Sequence, residues 1–332
     1  MKRSKVSVLL TAALAGLLAA SVAGPAAADP TPQPKDIVGV GSDTSQFAMN
    51  YLADGVVSGA FTPGFNATAA GARLVSFDAL VTDGPANIVL KAGTAAIVRP
   101  NGSGSGKALL YGAANNANVN FARSSSGPSA AENTAGLWHV PFAVDGLKLV
   151  TATTSNAPVA ISPAQMVDIY KGNVTNWNQI GGAAGVIVPY IPQAGSGTRS
   201  FFEGQLKAAN GNVAVVLGAN VQVSQEHDAT AIAGDPNAVA PFSTGRFATA
   251  TGIKLVNGAG SFSAQRALYN VVRTADLTKS WFTGTFGSDG FICSGSGNGP
   301  IAAAGFTQLA GPLDGGVCGV PTQVATTNFT TN

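Results

Sequence analysis

Short apolar segments in this chain run repeatedly into turns built of glycine and hydroxyl residues, and helical segments follow several of these turns. This punctuation constrains the fold more than any other feature. Strands alternating with helices give α/β architecture with mostly parallel sheets. Ile37-Val38-Gly39-Val40 is a short strand running into GSDTSQ, and a helix is predicted over about residues 44–57. Arg73–Ala79 and Ala95–Val98 read as strands; a Gly/Ser loop and a short helical run lead to another at 118–122. Val140–Ala152 is extended and largely apolar. Ser162-Pro163 is a helix start, with serine at the cap and proline at the first helical position, and Gly172 ends that helix. Met166, Val167, Ile169 and Tyr170 form its apolar face. Gly185–Ile191 is a strand entering AGSGTR, and Thr198–Ala209 a helix with Phe202, Leu206 and Ala209 on one side. A later helix is predicted over 263–273, burying Ala267, Leu268, Val271 and Val272. No repeat at solenoid spacing is present.

Hydrophobic residues make up 45% of the 332 and charged residues only 10%, which supplies a core and excludes a disordered chain. The 42 glycines follow no period of three, so collagen is excluded as well. Residues 1–28 read as an export signal: a basic start at Lys2, Arg3 and Lys5, an apolar run from Val6 to Val22, and small residues Ala26-Ala27-Ala28 before Asp29-Pro30. The apolar run is short and broken by Gly16 and Gly24-Pro25, which argues against a membrane anchor, and no cysteine near the cleavage point offers a lipid attachment. The reading is a secreted protein. The formal charge of +2 belongs to that signal, because without its three basic residues 15 basic face 16 acidic. A nucleic-acid binder needs a clustered basic surplus, and this chain has none. Residues 29–35, DPTPQPK, form a Pro-rich leader. Cys293 and Cys318, the only cysteines, are expected to form one disulfide in an exported chain; a catalytic or metal-binding pair is the alternative.

Four loops carry the chemistry. In Gly195-Ser196-Gly197-Thr198-Arg199 the glycines let several N–H groups face one point, and the helix that follows adds its unpaired donors and positive end. Ser196 and Thr198 add hydroxyls, and Arg199 can grip an oxyanion with two N–H groups. Taken alone, the segment also reads as a helix cap after a flexible turn. The loop at 101–107, NGSGSGK, fails the nucleotide P-loop pattern at Asn101 and Ala108, and the loop at 39–44, GVGSDT, fails the dinucleotide fingerprint at Thr44. The fourth, FARSSSGP at 121–128, ends a strand with an arginine and three hydroxyls. Four such loops, each after a strand, suggest convergence at the carboxyl ends of parallel strands, where open α/β sheets bind ligands. The enzyme readings are weaker. His139 in LWHVPF reads as packed near a strand, and His227 in SQEHDAT as a surface residue or a weak metal ligand. GxSxG and HExxH motifs are both missing from the chain.

In their order, GVGSDT, NGSGSGKALL, FARSSSGPSA and AGSGTRSFFEGQL resemble the extracytoplasmic phosphate-binding proteins that serve ABC phosphate importers, within the type II periplasmic-binding-protein fold. PFAVDGLKLV at 141–150 and SPAQMVDIYKGNVTNWNQIGG at 162–182 look like that family's crossing strand and second-lobe segment. The resemblance implies two α/β lobes with mostly parallel sheets joined by two hinge strands, closing on an oxyanion. It divides the chain into lobe 1 at 36–140, lobe 2 at 141–250 and a return to lobe 1 at 251–332.

By motif position the ligand contacts would be Asp43, Thr44, Ser103, Ser124, Ser125, Ser196, Gly197 and Thr198, with Arg123 and Arg199 as nearby cations. The resemblance implies binding without catalysis: phosphate or a related oxyanion as ligand, no cofactor, no metal, a monomer, and an ABC permease as partner. Two departures bear on the ligand. Pro192-Gln193 stand where the family commonly has an arginine, and Ser125 stands where it places an aspartate that can accept a proton-bearing phosphate oxygen. Asp43 is the expected substitute acceptor. A secreted binding or adhesion module without a transporter, and an extracellular phosphate-ester hydrolase, are the alternative readings.

Overall fold

The computed structural model describes residues 29–69, 71–80, 86–309 and 317–324, so the export signal predicted at 1–28 lies outside the described residues. Of the three sheets among the described residues, one has ten strands and runs through both halves of the chain. In chain order these are β1 (Ile37–Gly41), β2 (Leu74–Ser76), β3 (Phe121–Ser124), β4 (Leu137–Ala152), β5 (Val188–Pro192), β6 (Gln222–Ser224), β7 (Ala238–Ser243), β8 (Ile253–Leu255), β9 (Ser263–Arg273) and β10 (Thr307–Gln308). The main path is β6-β5-β7-β4-β9-β3-β1-β2, with β8 and β10 also on β4. At either end the pairing is parallel, β1 with β2 and β3, and β5 with β6 and β7. The centre is antiparallel: the 16-residue β4 and the 11-residue β9 lie side by side along their lengths, Asp145 opposite Arg266.

The prediction of a helix over 263–273 is corrected: the segment is the central strand β9. Ala264, Ala267, Leu268, Val271 and Val272 fit a helical period, but the run Arg266–Val272 is buried without a break. A strand covered on both faces shows an apolar run of this sort, which periodicity cannot tell from a buried helix.

The helices form where local chemistry directs them. The helices used below are α1 (Gln46–Asp54), α2 (Ser103–Ala108), α3 (Ala130–Thr134), α4 (Pro163–Lys171) and α5 (Gly197–Ala209). In α4 the Ser162 hydroxyl accepts from the Gln165 N–H while Gln165 caps Ser162 in return, and Gly172 closes the helix at φ 79°. Along α5, Phe202 and Leu206 are buried against the sheet.

Hydrophobic side chains collect on two sides of the central strands. One cluster includes Val38, Leu52, Phe121, Phe142, Ala143, Leu268 and Phe286. Across from it, one cluster takes Leu147, Tyr170, Trp177, Phe202 and Ala264, and a smaller one takes Val150, Ile232 and Phe242. The change-over falls between Ala143 and Leu147 on β4 and between Ala264 and Ala267 on β9. Cys293 and Cys318 form a disulfide beside the first cluster. None of the helices among the described residues is long and apolar enough to cross a membrane.

Candidate functional site

The loops after β1 and β3 bring Thr44 and Ser125 to Arg266 on the central strand β9. The turn after β1 needs Gly41 at φ 113°, and it brings Ser42, Asp43 and Thr44 into full burial. Arg123, at the end of β3, lies beneath this turn: its Nε donates to the Ser42 carbonyl and its Nη2 to the Gly41 carbonyl, both at 3.1 Å. Burial lowers its guanidinium pKa to about 10, against the opposing pull of Asp78 and Asp43, so it remains a cation at neutral pH.

From the opposite side, the turn before α5 closes on the first. The Gly104 N–H donates to the Gly195 carbonyl at 2.9 Å. A Cβ at Gly197 would stand 2.2 Å from Ser103 Oγ and 2.3 Å from Ser125 Oγ, so a glycine is what lets the α5 terminus reach these hydroxyls. The result is a buried group of side-chain hydroxyls. Ser125 Oγ lies 3.1 Å from both Ser42 Oγ and Thr44 Oγ1 and 3.4 Å from Ser103 Oγ, and Thr44 Oγ1 is 3.3 Å from Thr198 Oγ1.

Two charged side chains enter this group. Arg266, from β9, donates through Nη2 to Thr198 Oγ1 at 2.8 Å and through Nη1 to the Ser125 carbonyl at 3.3 Å. Its Nε and Nη2 also donate to Asp145 Oδ2 at 3.0 and 2.8 Å, and Asp145 accepts the Ser243 hydroxyl at 2.7 Å. The second is Glu226, whose Oε1 accepts from Thr44 Oγ1 at 3.1 Å and from the Thr198 N–H at 3.2 Å. That N–H belongs to the first turn of α5, where helix geometry leaves donors for an anion.

A separate ionic group borders the hydroxyls. Asp43 Oδ2 is 2.7 Å from His227 Nδ1, and Asp43 Oδ1 is 3.6 Å from Arg246, whose guanidinium covers the Phe47 ring. Burial alone would raise the Asp43 carboxyl, but Arg246, His227 and Arg123 hold it below the ordinary carboxylate range. A further buried set backs the α2 loop: Lys107 pairs with Glu132 at 2.7 Å and donates to Ser126 Oγ. His139 lies 3.6 Å from Glu132, yet burial and Lys107 push its imidazole well below 6.5, so it is neutral and forms no ion pair.

The structure therefore gathers Thr44, Ser103, Ser125, Gly197 and Thr198 from the predicted set and places the others around them. Arg199 faces away: its Nε donates to Glu203 at 2.9 Å and its Nη1 to the Pro192 carbonyl at 3.2 Å. Ser196 Oγ serves as the α5 cap, accepting from the Arg199 N–H, and Ser124 Oγ donates to the Ser126 carbonyl behind the loop. Arg123 supports a loop from below, and Asp43 binds His227 and Arg246 rather than the hydroxyls. His227 is corrected: it is buried on Phe242, and no group of three or more His, Cys, Asp and Glu that could hold a metal occurs among the described residues. Ser42, Asp145, Glu226 and Arg266 were not predicted. Ser42 lies within the GVGSDT motif at 39–44; the other three lack a local signal, since their partners are 28 to 222 residues away.

Two sheet halves joined by two long central strands, with loop donors meeting between them, are the arrangement of a two-lobed binding fold, and the comparisons agree. The family model described as the PBP superfamily domain matches residues 26–280, and the chain belongs to that superfamily. Its fold is the type II periplasmic-binding-protein fold. It is similar to a protein described as a phosphate ABC transporter substrate-binding protein, with bound phosphate, from Clostridium perfringens: 20% identity, TM-score 0.61, covering 83% of this chain and 100% of the other. An ABC-type phosphate transport receptor from Vibrio cholerae gives 20% identity and a TM-score of 0.56, covering 82% and 99%. A high affinity periplasmic phosphate-binding protein, PfluDING, gives 17% and 0.52, covering 82% and 90%. No curated protein matches the sequence.

Proposed function

We propose that this chain is an exported solute-binding protein that holds an oxyanion, inorganic phosphate in the first place, between its two halves for ABC-type import. One observation carries the reading: hydroxyls from loops of both halves, the α5 terminus and the Arg266 guanidinium all meet at one buried point. Neutral donors and one cation are a sufficient set for a tetrahedral oxyanion. The similarity to phosphate-binding proteins of ABC transport, the superfamily assignment and the export signal read at 1–28 support it.

The ligand contacts we assign are Thr44, Ser103, Ser125, Gly197, Thr198 and Arg266. Asp43, Arg123, Ser124, Ser196 and Arg199 position these loops from around the site. The lobes would hinge where the cores change over, near 144–146 on β4 and 265–266 on β9, so that residues 251–264 travel with the second lobe. Arg266, on a hinge strand, then senses ligand and hinge together. The protein acts as a monomer without cofactor or catalysis and hands its ligand to a membrane permease.

Calorimetric titration of the purified protein tests this. Phosphate is expected to bind saturably at one site, with Thr198→Val weakening it about tenfold or more through loss of one donor. No heat with phosphate, arsenate or sulfate would overturn the reading.

A further inference from the structure

The Thr198 N–H, in the first turn of the 13-residue α5, and the Thr44 hydroxyl are donors for an anion, and both are taken by a carboxylate of the chain itself. Glu226 is 3% exposed, and its second oxygen, Oε2, has no hydrogen-bond partner among the described residues. We propose that Glu226 is a tethered competitor: its carboxylate occupies part of the oxyanion site, must leave for the ligand to bind, and so sets the affinity and the anion preference of the cleft.

The segment that carries Glu226 is built as a strap across the seam. On its own half, the Glu226 N–H is held by Gln193 Oε1 at 2.7 Å. On the far half, Gln225 Oε1 accepts from Asn101 Nδ2 at 2.9 Å, and His227 meets Asp43 at 2.7 Å. Glu226 is thus clamped between two contacts that both reach the other lobe. His227 adopts φ 59°, a left-handed conformation uncommon outside glycine.

The donors decide that carboxylate and ligand cannot share the site, since the Thr198 N–H and the Thr44 hydroxyl are already taken by Glu226. Arg266 is the cation among the hydroxyls, and Asp145 already neutralises it. The neighbouring Arg246 guanidinium faces Asp43, as does the His227 ring. A fully ionised oxyanion beside Glu226 would meet an uncompensated like charge in a buried setting, and a proton-bearing one would still find the Thr198 N–H and the Thr44 hydroxyl taken. A tethered group competes at high effective concentration, and the apparent affinity falls by the fraction of molecules in which it has withdrawn. Ligands that displace the strap are those that satisfy more of the donors than one carboxylate oxygen does, which favours tetrahedral oxyanions over carboxylates.

This inference rests on the oxyanion reading, and the test separates the two. Phosphate is titrated into the wild-type protein and Glu226→Gln, and hydrogen–deuterium exchange of the wild-type protein is followed with and without saturating phosphate. The expected result is at least tenfold tighter phosphate binding by Glu226→Gln, with phosphate slowing exchange at 197–199 and speeding it at 226–228 in the wild-type protein. Equal or weaker binding by Glu226→Gln, or protection of 226–228 by phosphate, overturns the tether and leaves the oxyanion site standing. Should Glu226→Gln fail to fold, the wild-type exchange pattern decides. If neither protein binds phosphate, arsenate or sulfate, the oxyanion reading falls and the tether falls with it.

Discussion

Replacing Arg266 by methionine isolates the contact on which both the hinge and the site depend. Arg266 and Asp145 are direct cross-strand partners on β9 and β4, with side chains 2% and 0% exposed and two N–H groups on one carboxylate oxygen at 2.8 and 3.0 Å. Methionine fills similar space but strands the Asp145 carboxylate, leaving it the Ser243 hydroxyl at 2.7 Å and a long 3.4 Å contact from the Gly245 N–H. Breaking a buried pair in this way costs about 3–5 kcal/mol, whereas removing both charges is often neutral. Arg266→Met is therefore expected to lose about 3 kcal/mol or more in urea unfolding followed by tryptophan fluorescence. Arg266→Met with Asp145→Asn, which keeps a neutral acceptor for Ser243, is expected to recover to within about 1 kcal/mol of wild type. The recovered double variant still lacks the cation, so its phosphate affinity should fall about tenfold or more. A single variant costing under about 1 kcal/mol, or a double variant no more stable than the single, would refute the reasoning, because the two charges would then not be coupled.

Other expectations follow from the same structure. Because burial and Lys107 depress His139, the unfolded chain takes up a proton below 6.5 that the folded chain refuses. Stability is then full above that pH and falls below it by up to about 1.4 kcal/mol per pH unit, a slope that His139→Leu should remove in denaturant titrations across pH 5–7. Reducing the Cys293–Cys318 disulfide, which spans 25 residues, should lower stability by about 3–4 kcal/mol in the chain-entropy account, read as a lower melting temperature in reductant. In Gly197→Ala the new methyl would overlap the Ser103 and Ser125 hydroxyls, so the halves should part: small-angle scattering is expected to show a larger radius, and phosphate titration a loss of at least tenfold. An unchanged radius with unchanged affinity would show that α5 does not close on these hydroxyls.

Much of the architecture is legible where the signals are local. Ser162-Pro163 and Gly172 mark both ends of α4, and the glycines at 195 and 197 mark the turn into α5. The strand β9 is not legible in the same way, because a central strand is apolar on both faces and its alanine, leucine and valine spacing also fits a helix. That misreading hides Arg266, which on a helix would have been one more surface cation. Arg199 shows the converse: Glu203, four residues on, is a local partner on the same helix face and draws the guanidinium out of the site. Asp43 was expected to face the ligand, but its neighbours in space, His227 and Arg246, lie about two hundred residues away and claim it. Glu226 precedes His227 in sequence, and only the tertiary contact with Thr44 and Thr198 reveals its position.

Anomalous diffraction from crystals of the protein grown with arsenate tests the central claim most directly. The account predicts one arsenic peak within hydrogen-bonding reach of the Thr198 N–H, the Ser125 hydroxyl and the Arg266 guanidinium, with Glu226 moved off that N–H. No peak between the halves, or an arsenic atom bound elsewhere on the molecule, would contradict it.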